Sequence, residues 1–501
     1  MHDEAPITYR RVSSVTEVPA GPPLSPVAGA AARGGLATLG AQGARVAVQL
    51  GTTIVLARIL SPADFGLFAL VLVVVNAGEL VRDFGLTHAA IQAEYISDEQ
   101  KSRLYWYGIG IGVAFTMVML ALSPVVARVV SHPEALAISC AMSAIFILNS
   151  SQAQHQAQLA RSSRFGTLAF TEVLAQLSGM IVAVALAVAG AGVWSLVGQA
   201  LTASLVQTLL RSALSGWRPY RPRRGGESVR EFLLFGRDVS ASQAVSFVAT
   251  NADTVALGLS TSPTALGYYN RGYQFASLPL NQALVPLTNV ALPTFARARS
   301  DEQNAIRVIS RVHLSLNLVV CSAMLSFALL ADPLVRLLLG DTWLPTITVF
   351  ALLAAASSFQ ALSFVNYWIF LGFARTRSLL RFTLTLRPLG ICAIVAAAPL
   401  GINAVAATSL CVSVLHWTAG TIWVARAANL SALRLFKPAV IVQLISGGVA
   451  GIAWLASALG TNPLLEVAFG AAGAGMGLIV AAAVLPSTRE HVLATFRGEN
   501  P

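Results

Sequence analysis

Stretches of roughly twenty apolar residues, each closed by a short polar or proline-containing segment, recur from residue 35 to residue 486. A helix of that length rises about 30 Å, the thickness of a bilayer's hydrocarbon core, so each run predicts a membrane-spanning helix. The runs fall at 35–59, 64–90, 104–130, 135–159, 165–189 and 193–214, then at 232–260, 264–294, 307–331, 345–372, 378–400 and 403–425. Two more follow at 436–459 and 464–486. The polar end of the fourth run, Asn149 to Gln158, is expected to emerge into water.

The pattern also repeats. The turn Ser61-Pro62-Ala63-Asp64-Phe65-Gly66 between the first two runs returns 201 positions later as Ser262-Pro263-Thr264-Ala265-Leu266-Gly267. Six spans separate the two copies, an even number, so the halves have the same orientation in the membrane. Parallel repeats of that kind place a site at their interface and rock about it. The expected fold is all-α: about fourteen transmembrane helices, arranged as two parallel six-helix lobes with two further C-terminal helices. The boundaries read as a cytoplasmic tail at 1–33, a first lobe at 34–216, a connecting loop at 217–231, a second lobe at 232–430, the extra pair at 431–488 and a tail at 489–501. Pro6, Pro19, Pro22, Pro23 and Pro26 make the first tail a segment that cannot pack. Arg10-Arg11 is followed by prolines rather than by the apolar region of an export signal.

Composition agrees. Of the 501 residues 55% are hydrophobic and 11% charged, with a mean hydropathy of +0.69, whereas a soluble domain carries about 25% charged residues. The net charge of +11 is spread one loop at a time, without the basic face and stacking aromatics of a nucleic-acid binder. With fourteen spans and the N-terminus inside, 27 of the 33 basic residues fall on inner segments, and only Arg58, Arg128 and Arg336 on outer ones. That asymmetry follows the positive-inside rule and predicts both termini in the cytoplasm. Cys140, Cys321, Cys392 and Cys411 lie within apolar runs and read as gap-filling thiols. His88, His155, His313 and His416 are isolated and read as hydrogen-bonded packing residues. No metal or cofactor motif is expected.

Three basic residues remain, Arg45, Arg82 and Arg271, and they sit within spans. An arginine at the bilayer centre costs about 2.5–3.5 kcal/mol on insertion scales, so it normally faces a wet interior. At 100° per residue, Thr38, Gln42, Arg45, Gln49 and Thr52 share one stripe of the first span, with Gly43, Ala47 and Gly51 as a small-residue ladder. Asn76, Glu79, Asp83 and Thr87 share a face of the second, with Arg82 at its edge. The eighth aligns Arg271, Gln274, Asn281, Gln282 and Asn289. The seventh aligns Ser240, Gln243, Thr250, Asn251 and Thr254, with Asp253 on another face. Four polar stripes predict a water-filled cavity between the halves. Arg45, Arg82, Arg271, Gln49, Asn251, Gln274 and Gln282 are the candidate substrate-binding groups. Glu79, Asp83 and Asp253 are candidate coupling groups or charge partners, and Glu172 is expected to snorkel.

Leu56-Ala-Arg-Ile-Leu-Ser-Pro-Ala-Asp-Phe-Gly66, Asp83-Phe-Gly-Leu86 and Ala90-Ile-Gln92 resemble the first-hairpin signature of bacterial polysaccharide flippases, the Wzx-like members of the multidrug/oligosaccharidyl-lipid/polysaccharide exporter superfamily. Leu266-Gly-Tyr-Tyr-Asn-Arg-Gly-Tyr273, Leu278-Pro279 and Pro293-Thr-Phe-Ala-Arg297 resemble the matching stretch of the second half, and the likeness covers most of 34–430. It implies a MATE-like fold in the bacterial inner membrane and alternating access. It implies translocation of undecaprenyl-diphosphate-linked oligosaccharides from the inner to the outer leaflet, in contact with membrane lipids and with the polysaccharide polymerase and export machinery. Pyrophosphate-binding arginines on the first, second and eighth helices are implied too, which here are Arg45, Arg82 and Arg271. A cation-coupled multidrug exporter shares the architecture, but its cavity needs acidic or aromatic groups. An enzyme needs larger extramembrane loops than these, so catalysis is not expected.

Overall fold

The computed structural model describes residues 25–83, 85–93, 95–130, 132–221, 227–299 and 301–484. Side chains are described at most but not all of these positions; those of Thr38, Gln42, Asp83, His88, Ser240 and Asn289, all named above, lie outside the described residues.

Every expected span has a helical rod. In the first half these are α1 (Ser25–Ile59), α2 (Pro62–Asp83), α3 (Asp98–Val130), α4 (Glu134–Arg161, broken once at Ser143), α5 (Phe165–Val188) and α6 (Trp194–Leu214). The second half holds α7 (Arg230–Ser260), α8 (Pro263–Ala298), α9 (Glu302–Leu329), α10 (Thr346–Gly372), α11 (Thr376–Leu400) and α12 (Ile402–Ala428). Two more, α13 (Ala432–Ser457) and α14 (Pro463–Val484), pack on each other and, through α13, on α9. Ten of the rods are long and apolar enough, by length and composition, to cross a membrane, so the chain is a multi-pass membrane protein. The expected second span ends early: α2 stops at Asp83, and Leu86–Gln92 forms a separate short helix after Gly85 at φ 59°.

The contacts repeat along with the sequence. In the first lobe α1 packs on α5, α3 on α4, α4 on α6 and α5 on α6. The second lobe has the same scheme, with α7 on α11, α9 on α10, α10 on α12 and α11 on α12. Between the lobes α2 lies against both α8 and α7.

The repeated turns show why their residues recur. Ser61 Oγ and N both donate to Asp64 Oδ2, at 2.6 and 2.9 Å, and Pro62 opens α2. Ser262 Oγ accepts from Ala265 N at 3.2 Å, with Pro263 opening α8. Ser61 Oγ also accepts from Asp64 N at 3.3 Å, so each serine satisfies a donor that a helix start leaves bare, and proline loses nothing at a position whose N–H has no helical partner. The two turns meet. A Cβ built on Gly66 would lie 1.7 Å from the Pro263 carbonyl oxygen, and one on Gly267 would lie 1.9 Å from that of Pro62. Trp343, fully buried, seals the same end: it meets Phe65 and Tyr268 edge-on and donates to the Ala57 carbonyl at 2.8 Å.

At the opposite end, buried Leu86, Ala90, Ile96, Leu104, Ala157 and Val229 join the first turn of α7 to the first lobe. Arginines there cap helix ends. Arg161 donates to the carbonyls of Ala90 and Ala93, and Arg164 to that of Leu214 at 2.8 Å, where the helix dipole favours a cation.

Candidate functional site

Arg82 and Thr87 border a cavity in the first lobe, and Thr250 and Asp253 border another in the second. The first-lobe pocket, of about 320 Å³, is walled by polar groups of α2, α4, α5 and α6, among them Arg82, Asn149, Gln152, Gln156, Glu172, Gln207 and Arg211. The second-lobe cavity, of about 960 Å³, lies among α7, α8, α10, α11 and α12. Its wall mixes aromatic rings (Tyr273, Phe364, Tyr367, Phe382) with Asp253, Gln360, Asn366, Arg387 and His416.

In the first-lobe pocket, Arg82 Nε lies 2.9 Å from Glu79, one turn away on α2, and its guanidinium donates to Ser150 at 3.2 Å. Asn149 donates to Glu79 at 2.5 Å, Gln152 to Asn149 at 2.7 Å, and Ser204 to Asn149 at 3.2 Å. Glu172 joins this network to α1 and α6. One carboxylate oxygen takes Arg45 at 3.2 Å and the other takes Arg211 at 3.0 Å. Arg211 also donates to Gln152 and Gln156 at 2.9 and 2.8 Å.

Three expectations change here. Glu172 does not snorkel; it is the shared acid between two arginines. Arg211, counted with the inner loops, is drawn into the lobe and buried. The end of α4 does not emerge into water: Gln152, Gln154 and His155 are buried, with Arg211 of α6 meeting Gln152 and Ser215 meeting His155.

Arg271 is not brought to this network. Its guanidinium lies over the Phe65 ring, 4.4 Å from the centroid, one turn into α2 from the clasped turns. Its Nε is buried without a hydrogen-bond partner. Nearby, Gln274 donates to Thr53 of α1 at 3.4 Å, and its own carbonyl oxygen is buried and unpartnered. From Phe65 to Arg82 is seventeen residues of α2, about 25 Å of rise. From Thr53 to Arg45 is eight residues of α1, about 12 Å. The arginines therefore form a ladder along the helices: Arg82 away from the clasp, Arg45 and Arg211 together on Glu172, and Arg271 beside the clasp.

Asp253 is not the partner of Arg271. It is buried, accepts from Tyr269 Oη and from the Thr254 amide, both at 2.7 Å, and faces the second-lobe cavity. Gln49 and Gln282 are half-buried, and Asn251 is turned back to the Phe247 carbonyl at 3.0 Å. Asp83 closes α2, its side chain outside the described residues. Among the histidines, His155 bonds Ser215 at 2.8 Å and His313 bonds Asn317 at 3.0 Å.

A sequence profile of polysaccharide biosynthesis proteins matches residues 55–348. The chain is 27% identical over 308 residues to lipopolysaccharide biosynthesis protein WzxC of Escherichia coli (strain K12), covering 60% of this chain and 61% of that one. It is 26% identical over 305 residues to succinoglycan biosynthesis transport protein ExoT of Rhizobium meliloti (strain 1021), with coverage of 60% and 61%. The matched region thus spans about three fifths of each relative's length. Among solved structures, lipid II flippase MurJ in an inward closed conformation superposes with a TM-score of 0.72 at 12% identity, over 89% of this chain and 99% of that one. An inward-facing multidrug resistance MATE transporter superposes at 0.57 and 15% identity, over 77% and 94%. At these identities the likeness concerns the fold.

Proposed function

Because the chain belongs to the polysaccharide biosynthesis protein family, we propose that it is a flippase for diphosphate-linked oligosaccharides. In this reading an undecaprenyl tail stays in the bilayer while the charged headgroup crosses between the lobes, from the cytoplasmic to the outer leaflet of the bacterial inner membrane. The two relatives above bear names of polysaccharide biosynthesis, and one is called a transport protein. The observation that carries the proposal is the arginine ladder. Arg82, Arg211, Arg45 and Arg271 are spaced over most of the thickness of a hydrocarbon core of about 30 Å. A guanidinium matches phosphate oxygens in bidentate fashion, so each rung offers a diphosphate a new partner before the last is released. The basic loops support both termini being cytoplasmic. That orientation puts the Arg82 end at the entry side and the clasped turns at the outer side. The polymerase and export machinery that take up the product are the expected partners.

A cation-coupled drug exporter would use the second-lobe cavity, whose aromatic wall and Asp253 suit an organic cation. Asp253 is already engaged by Tyr269 and Thr254, and the arginines have no role in that reading. The test is reconstitution into vesicles loaded with undecaprenyl-diphosphate-linked saccharide, scoring outer-leaflet headgroups with membrane-impermeant periodate. Protein-dependent exposure of the headgroup supports the flippase. Efflux of organic cations with no headgroup movement overturns it.

A further inference from the structure

The second-lobe cavity holds a cation that neither reading above uses. Three helices turn polar stripes into it. Gln360, Ser363, Phe364 and Tyr367 stand at i, i+3, i+4 and i+7 of α10 and so share one face. Ser409, Ser413 and His416 share a face of α12, and Thr383 and Arg387, one turn apart, a face of α11. Arg387 is the group that packing does not explain. The charge pattern of the sequence counts it with the inner basic residues, yet it stands eleven residues past Thr376, about 16 Å of rise into the helix. A charge at that depth is costly unless it meets water or a partner. Arg387 is exposed and lines the cavity, and among the described residues it has no carboxylate and no hydrogen-bond acceptor.

The rest of the wall narrows the ligand class. Asp253, the acid of this cavity, is 8% exposed and already bonded to Tyr269 and Thr254. Gln360 donates to Ser413 at 3.3 Å and keeps its carbonyl oxygen for a ligand. Tyr367, 40% exposed, presents a ring that pairs with no other ring among the described residues. A diphosphate calls for several cations, and the described wall offers one guanidinium. An organic cation would be repelled by a guanidinium without a counter-ion. An acidic sugar uses every part. Its apolar face lies on an aromatic ring, its hydroxyls exchange hydrogen bonds with amides and hydroxyls, and its carboxylate takes both donors of a guanidinium fork. The volume of about 960 Å³ lies at the upper end of the range of about 300–1,000 Å³ for small-molecule sites.

We propose that the second-lobe cavity is a saccharide subsite that selects units bearing a carboxylate. Arg387 reads the carboxylate, and the α10 stripe, with Tyr367 foremost, holds the sugar ring. The arginine ladder and this cavity then divide the headgroup between them, charge on one side and sugar on the other. The inference rests on the flippase reading for the ligand's identity, but its binding step is tested without transport.

The test is ligand-observed NMR on the full-length protein in detergent, with three free probes. They are a disaccharide ending in glucuronic acid, its neutral counterpart ending in glucose, and inorganic pyrophosphate. The wild type should bind the acidic disaccharide about tenfold more tightly than the neutral one, the scale of one charge-assisted hydrogen bond. Arg387→Gln should bring the acidic sugar down to the level of the neutral one. Arg387→Lys should recover little of the preference, since an ammonium lacks the planar two-donor fork. Tyr367→Ala should weaken both sugars alike, by about threefold or more. Equal affinity of the wild type for the two sugars sinks the proposal, and that measurement needs no variant to fold. A preference that survives Arg387→Gln in protein eluting as the wild type does sinks it as well. Pyrophosphate binding that falls with Arg387→Gln while the sugars are unaffected assigns the guanidinium to phosphate and overturns the assignment. Selective sugar binding without headgroup movement in vesicles would count against the flippase reading and leave this site standing. Headgroup movement without any sugar preference would do the reverse.

Discussion

Arg271 differs from the other embedded arginines in what surrounds it. Arg45, Arg82 and Arg211 each have a carboxylate, whereas Arg271 has the face of Phe65 and, among the described residues, no acid. A ring face stabilises a guanidinium by about 0.5–2 kcal/mol and leaves its hydrogen-bonding edge free. Arg271→Gln therefore strands no acid, and the protein should insert and fold while export collapses. Arg271→Lys should recover little, since an ammonium lacks the planar two-donor fork. Adding Asp253→Asn to Arg271→Gln should rescue nothing, because Asp253 is bonded to Tyr269 and Thr254 instead. Membrane abundance and export of the lipid-linked saccharide, measured in the single and double variants, decide this. Recovery in the double would mean the two charges do pair. The embedded arginines were visible in the sequence because ionisable groups stand out in apolar runs. Their partners were not: Glu172 meets Arg45 across 127 residues and Arg211 across 39. A helical wheel gives the face of a residue but not which neighbouring helix it meets. Arg211 was hidden for a simpler reason, since it lies at the end of its run and reads as a loop residue.

At the scale of the elements, the repeated turns are the informative feature. Their recurrence marks matched hairpins, and a glycine at a tight turn commonly supplies a left-handed backbone. The reason proves different. Neither Gly66 nor Gly267 has a positive φ; each is glycine because the other hairpin's proline carbonyl occupies the space of a Cβ. The α2 and α8 helices cross there at backbone contact, and Trp343 with its bond to Ala57 covers the crossing. Gly66→Ala or Gly267→Ala should leave each lobe's own packing intact but force the clasp apart by the width of a methyl group. Export should fall sharply with little change in abundance. A cysteine placed at Ala57, which is buried beneath Trp343, should become reactive to an impermeant maleimide in those variants and stay protected otherwise. Normal export together with a protected cysteine would show that the crossing has slack the geometry does not suggest. A repeat in one chain shows what recurs; that the two copies interlock is a fact about their docking, which no local pattern carries.

For the molecule as a whole, duplication sets the frame and divergence sets the function. The helix contacts of the two lobes match, yet the first lobe fills its pocket with a salt-bridge network while the second keeps an open, partly aromatic cavity about three times larger. The direction of the proposed transport depends on which end of this asymmetric pair faces the cytoplasm. The charge pattern argues for the clasp at the outer side. Arg161 and Arg164 cap helix ends at the side opposite the clasp, and basic loops cost most to move across a membrane. Reporter fusions at Ser262, beside the clasp, and at Thr461, in the turn between α13 and α14, should therefore read as periplasmic, and one at Gly225 as cytoplasmic. Ser262 is the discriminating position, because it sits in the second copy of the turn and reports on the parity of the seven preceding spans. A cytoplasmic signal there with a periplasmic one at Gly225 would invert the molecule. The Arg82 and Arg211 pocket would then face the outside, and the ladder would have to run in the direction of import.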